Sequence, residues 1–168
     1  MHVKNLYLFS SLNSRKDLQI TDMNDEFNFE SILVPYNATP GAERGLKAAI
    51  ELAKRLDGQI ILLTCIENQS ILSFFKKNKN EEFDQQKKII ESELKKIESK
   101  IKELKKPVRH VVVKSSFAPS TIIEYSEKNN IDAVVIGQTK LVGTEGKYHE
   151  SMANYLLNDL KCPLLVVK

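Results

Sequence analysis

The chain has 168 residues, enough for one domain with a sizeable core, and 42% apolar against 28% charged residues is the balance of a globular protein. A net charge of +3, with lysines interleaved among glutamates, supplies no basic surface for nucleic acid or an anionic membrane. Without tryptophan there is little to stack single-stranded bases on, and no run approaches the 18 apolar residues of a membrane span.

Residues 1–28 are polar and aperiodic after Phe9, with Ser10-Ser11, Asn13-Ser14 and an acidic patch at Asp22, Asp25 and Glu26. They are expected to form a flexible N-terminal extension to a domain spanning 29–168. The apolar run Leu6-Tyr7-Leu8-Phe9 is too short for a secretion signal, so a reducing, cytoplasmic setting is expected. Cys65 and Cys162 each lie in or beside an apolar run, which predicts buried free thiols. No spacing of ligands points to a metal site.

From Phe29 two periods alternate. Ile32-Leu33-Val34-Pro35-Tyr36 reads as a first strand, apolar throughout as a buried parallel strand is. Asn37 to Gly41 reads as a loop, and 42–57 as a helix with Leu46, Ala49, Ile50, Ala53 and Leu56 on one face. Gly58 is expected to take the left-handed position that ends it. Gln59 to Ile66 is a second apolar strand. After a polar connection, 81–105 predicts a long helix whose stripe is Phe83, Ile90, Leu94, Ile97, Ile101 and Leu104. That stripe suits packing on a sheet better than a seam for a partner.

Pro107 breaks the helix and Val108 to Lys114 is a third strand. A short helix starts at Ala118-Pro119 and ends at Asn129-Asn130. A fourth strand follows at 132–137, then a loop, a helix at about 150–160 and a last strand at 163–167. Five strands alternating with four helices predict an α/β fold, a parallel sheet covered on both faces. His110 is expected at the rim of the third strand, and His149 as a surface residue. No nucleophile is tied to either by spacing, so no catalytic residue and no enzyme activity are expected.

Four segments together resemble the universal stress protein family. They are Ile32 to Asn37, Ile61 to Glu67, Ile122 to Tyr125 followed by Ile131 to Gly137, and Ser151 running through Cys162 to Val167. The resemblance implies a flavodoxin-like doubly wound sheet of order 3-2-1-4-5. It implies an adenine nucleotide, ATP or AMP, at the switch between the first and fourth strands. Carried over position by position, the implied site is Pro35, Tyr36 and Asn37 beside the ribose, Cys65 beside the adenine, and Gly137, Lys140, Glu150 and Ser151 around the phosphates.

The family's loop has the form G-x2-G-x9-G-[ST]. Here Lys140 and Glu150 stand where its second and third glycines fall, and Asn37 where it has an aspartate. Lysine and glutamate lack the positive φ and close backbone approach that glycines give a phosphate cradle. A dimeric regulatory protein with weakened or lost ATP binding is therefore expected, with an ATP- or AMP-binding nucleotide sensor, at most a slow ATP hydrolase, as the alternative. Residue by residue, a bland role stays open: Asn37 as a turn residue, Gly137 as a strand-ending turn, Ser151 as a helix N-cap and Cys65 as core. Pro163 to Val167 carries no charge and resembles the strand through which the family dimerises, so a homodimer along it is expected.

Overall fold

The structure is a computed structural model that describes residues 8–9, 29–67, 79–101, 104–138 and 152–168. In chain order these form β1 (Leu8–Phe9), β2 (Ser31–Pro35), α1 (Pro40–Leu56), β3 (Gln59–Glu67), α2 (Lys79–Lys100), β4 (Arg109–Ser115), α3 (Ala118–Lys128), β5 (Ala133–Gly137), α4 (Met152–Asp159) and β6 (Leu164–Val167). The strands make one sheet of order β1-β6-β5-β2-β3-β4. From β2 to β6 every pairing is parallel. Counted from β2, those five strands have the expected order 3-2-1-4-5.

The apolar runs are continuous because each strand feeds two cores. Ile32, Val34, Ile60, Leu62 and Val135 point into one, beneath α1 and Leu94 of α2. Leu33, Ile61, Leu63, Val134, Ile136 and Leu164 point into the other, which Ile122 of α3 and Leu156 of α4 close. Alternate residues of a strand face opposite sides, so burial on both sides demands apolar residues at every position. The α2 stripe is a core seam. Leu94 is fully buried, and Ile90, Ile97, Ile101 and Leu104 pack around it on the first core.

Helix ends depart from the pattern in ways with local causes. Helix α1 begins at Pro40, two residues earlier than the periodicity suggests, because Thr39 caps it: its Oγ1 accepts from the Ala42 N–H at 3.2 Å. At the other end Asp57, not Gly58, takes the left-handed conformation, with φ 56°. Gly58 instead donates its N–H to the Ala53 carbonyl at 3.1 Å, completing a Schellman turn. Gly58 is needed for space: a Cβ there would lie 2.5 Å from the Phe29 carbonyl oxygen. Helix α2 stops at Lys100, five residues short of the expected 105, in a tightened turn where Ile101 donates to the Glu98 carbonyl at 2.9 Å.

At the amino ends of the central strands, Asp132 clasps β2 to β5. Its Oδ2 accepts from the Ser31 N–H at 2.8 Å, and its own N–H donates to the Ser31 carbonyl at 3.0 Å. This sets Ile32 opposite Ala133 and Leu33 opposite Val134, which brings the carboxyl ends of the two strands side by side.

His110 sits in β4, half-buried, and its Nε2 has no hydrogen-bond partner among the described residues. Burial lowers its pKa, more than the Glu98 and Glu91 carboxylates raise it. The folded chain therefore binds this proton less readily than the unfolded chain. Stability is unaffected above the unfolded pKa near 6.5 and falls as pH drops through it toward the folded pKa. Replacing His110 with leucine should remove this loss. Urea midpoints of wild type and His110→Leu, measured at pH 7.5 and 5.5, should differ more in favour of the variant at the lower pH. An equal difference at both pH values would rule the account out.

Candidate functional site

Chains leaving the carboxyl ends of β2 and β5 go to opposite faces of the sheet. The β2 connection enters α1 over the first core; the β5 connection leads to α4 over the second. The junction between neighbouring strands whose connections diverge is a topological switch point, and the crevice at such a point is the usual ligand position in these sheets.

The β2 side of the crevice is a tight turn. Tyr36 is held in the sheet, its N–H donating to the Leu63 carbonyl at 2.9 Å and its carbonyl accepting from the buried Thr64 hydroxyl at 2.9 Å. Its ring belongs to the first core, and burial, followed by the Glu43 and Glu93 carboxylates, pushes its pKa upward. Only backbone at Tyr36 faces the crevice. Asn37 and Ala38 are exposed, and Ala38 is left-handed with φ 57°. The Asn37 side chain closes this turn: Oδ1 accepts from the Thr39 hydroxyl at 2.8 Å and from the Thr39 N–H at 3.4 Å.

The N-terminus of α1 is largely satisfied from within. Pro40 has no N–H, and those of Ala42 and Glu43 go to the Thr39 hydroxyl and carbonyl. An anion in the crevice would meet few donors there.

On the β5 side the backbone is crowded. Gly137, which ends the strand, lies against Gly41 and Gly45 of α1. A Cβ on Gly137 would stand 1.7 Å from the Gly41 carbonyl oxygen, and one on Gly45 would stand 2.7 Å from the Gly137 nitrogen. Gly45 and Gly137 let the helix and strand backbones touch, with the Gly41 carbonyl against Gly137. Just beyond, Gln138 donates its N–H to the Val167 carbonyl at 2.7 Å, and the Arg44 guanidinium donates through Nη2 to the Gln138 carbonyl at 2.6 Å. Arg44 thus places an exposed cation where the chain leaves for residues 139–151.

Of the residues expected at the site, Pro35, Tyr36, Asn37 and Gly137 are gathered at this crevice. Cys65 lies one strand over in β3, half-buried against the second core and opposite Val113. Lys140, Glu150 and Ser151, with His149, fall outside the described residues. Thr39, Arg44 and the Gly41–Gly45 pair were not singled out from the sequence. Thr-Pro before an apolar period is a helix-start signal that could have found Thr39. Nothing local distinguishes Arg44 from other helix-surface cations.

Among the described residues no group of three or more His, Cys, Asp or Glu side chains could hold a metal ion. Burial pushes the Cys162 thiol up to about 11, which leaves it a poor nucleophile near neutral pH. No helix of the described structure is long and apolar enough to cross a membrane.

The fold is a flavodoxin-like, doubly wound α/β domain with its topological switch point between β2 and β5. The family model for the universal stress protein family matches residues 28–168, and the chain belongs to that family. Universal stress protein MJ0531 of Methanocaldococcus jannaschii is 25% identical over 146 residues, covering 86% of this chain and 85% of that protein. Among solved structures, the universal stress protein UspA of Lactobacillus plantarum superposes with a TM-score of 0.68 at 17% identity, covering 84% of this chain and 99% of that one. The universal stress protein of Archaeoglobus fulgidus solved in complex with dAMP gives 0.56 at 18% identity, covering 84% and 99%.

Proposed function

We propose that this is a dimeric regulatory stress protein whose ATP site is weakened, acting by binding rather than by catalysis, in the cytoplasm. The observation that carries the reading is the Asn37–Thr39 turn. A ribose ligand at this position is expected to accept hydrogen bonds from sugar hydroxyls, yet the single side-chain acceptor of Asn37 already takes two donors from Thr39. Asn37 has only its amide N–H groups left to offer, and no charge to strengthen the contact. The committed N–H groups at the start of α1, and Lys140 and Glu150 in the loop, work in the same direction.

The alternative, an AMP-type ligand, has one observation in its favour. Arg44 puts a single guanidinium at the mouth of the crevice, which suits one phosphate better than three. A relative of the same fold was solved in complex with dAMP. The homodimer is proposed along Pro163 to Val167, supported by the lack of charge on that strand.

Thermal melting with Mg²⁺ and 1 mM nucleotide tests the reading. A Kd near 10 μM would add about 2.7 kcal/mol by mass action, or roughly 5–10 °C for a chain of this size. The weakened site predicts a shift of less than about 2 °C with ATP. A shift of 5 °C or more with ATP would overturn it. A larger shift with AMP than with ATP would select the alternative, and Arg44→Ala should then abolish that shift.

A further inference from the structure

We propose that β1 is a displaceable plug on the dimerisation edge, so that the N-terminal segment and a second copy of this chain compete for the same strand. The proposal rests on the reading that two copies pair along β6.

Strand β6 ends the parallel set. Its inner side is fully used by β5: Val134 faces Leu164, Gly137 faces Val167, and the backbone pairing runs on through Val134 to Pro163 and Gln138 to Val167. Its side chains are fixed in both cores, Leu165 and Val167 in the first and Leu164 and Val166 in the second. The strand is therefore held rigid, uncharged and free of proline from Leu164 onward, without the devices that normally discourage pairing at an edge. Its outer side is met by β1, antiparallel, with Leu8 opposite Leu165 and Phe9 opposite Leu164.

Orientation makes the two occupants equivalent. Two copies related by a two-fold axis can pair an edge strand with itself only antiparallel. Strand β1 runs in that same direction and has a similar apolar sequence, Leu-Phe for Leu-Leu. Both cannot occupy Leu164 and Leu165 at once.

Strand β1 is also separable from the family domain. Its described residues, Leu8 and Phe9, lie opposite Leu165 and Leu164 of β6. The family match begins at residue 28, so β1 is an addition to the family domain, joined to it by residues 10–28. Its departure leaves the parallel pairings from β2 to β6 in place.

Full-length variants separate the outcomes by sedimentation equilibrium. Leu8→Asp with Phe9→Asp should raise the dimer association constant at least tenfold over wild type. Adding Val166→Lys to that double variant should return it to monomer. Leu8→Cys with Leu165→Cys puts two cysteines directly opposite, within disulfide reach. Oxidised, this pair should migrate at monomer mass and fail to dimerise; reduced, it should dimerise like wild type, with Leu8→Cys alone as the control for the native cysteines. An association constant unchanged by the aspartates, with Val166→Lys still breaking the dimer, would overturn the plug and leave the β6 dimer standing. Monomers throughout would overturn the dimer reading and the plug with it. A crosslink at dimer mass would show β1 exchanged between copies and overturn the plug within one chain.

Discussion

Gly137→Ala should unfold the chain roughly 6–12 °C below wild type, a loss of about 3 kcal/mol. The added methyl group would meet the Gly41 carbonyl oxygen at 1.7 Å, and Gly45 is immediately behind it. Both neighbours are backbone of α1, so no side chain can turn aside. Relief requires moving the helix off the sheet, and α1 carries Ala42, Leu46, Ala49 and Ala53 into the first core. The usual cost of overpacking is about 1–3 kcal/mol, and a clash between two backbones belongs at its upper end. The measurement separates two roles of the same residue. A glycine kept only to approach a phosphate would leave the melt of the ligand-free protein unchanged on substitution and affect nucleotide affinity alone. A large fall in stability without ligand assigns Gly137 to the contact between α1 and β5.

That contact also shows where the sequence is legible and where it is not. The strands could be read because two-sided burial leaves a plain mark: Ile32-Leu33-Val34 and Ala133-Val134-Val135-Ile136 are apolar at every position. The crossovers could be read because helical period and strand period differ. The partners of Gly137 could not, because Gly41 and Gly45 lie nearly a hundred residues away in the chain and gain their meaning only when α1 crosses β5. Asn37 was legible as a turn former, but that its acceptor is spent on Thr39 depends on the left-handed Ala38, which no residue preference announces. The α2 boundary was misplaced because Ile101 and Leu104 continue the apolar period although the backbone has left the helix at Lys100. Packing and helicity coincide along most of that segment, and the pattern reports only packing. Strand β1 was hidden for a different reason. A two-residue strand is shorter than any period, and Leu8-Phe9 means something only beside Leu164-Leu165.

Replacing Lys140 and Glu150 with glycine should raise affinity for ATP about a hundredfold. The physical case begins with α1, where Pro40 has no N–H and those of Ala42 and Glu43 are committed to Thr39. Phosphates at this position therefore draw most of their donors from the loop after β5 and from Arg44. The family loop meets that need with glycines, which bring backbone N–H groups close to the anion. Lysine at 140 keeps a charge but gives up that approach. Glutamate at 150, before the hydroxyl of Ser151, adds a carboxylate of the wrong sign. At ~5 Å from one phosphate charge and an effective dielectric of ~20, the repulsion is roughly 3 kcal/mol, which is the hundredfold. A titration of wild type, each single variant and the double variant with Mg-ATP divides the effect. Most of the gain should come with Glu150→Gly, because removing a repulsive charge outweighs exchanging Lys140's attractive charge for backbone donors. An affinity unchanged in the double variant would place the obstacle on the β2 side instead, at the spent acceptor of Asn37. Asn37→Asp would then be the substitution that restores binding, since a carboxylate has a second oxygen to offer the sugar after Thr39 has taken the first.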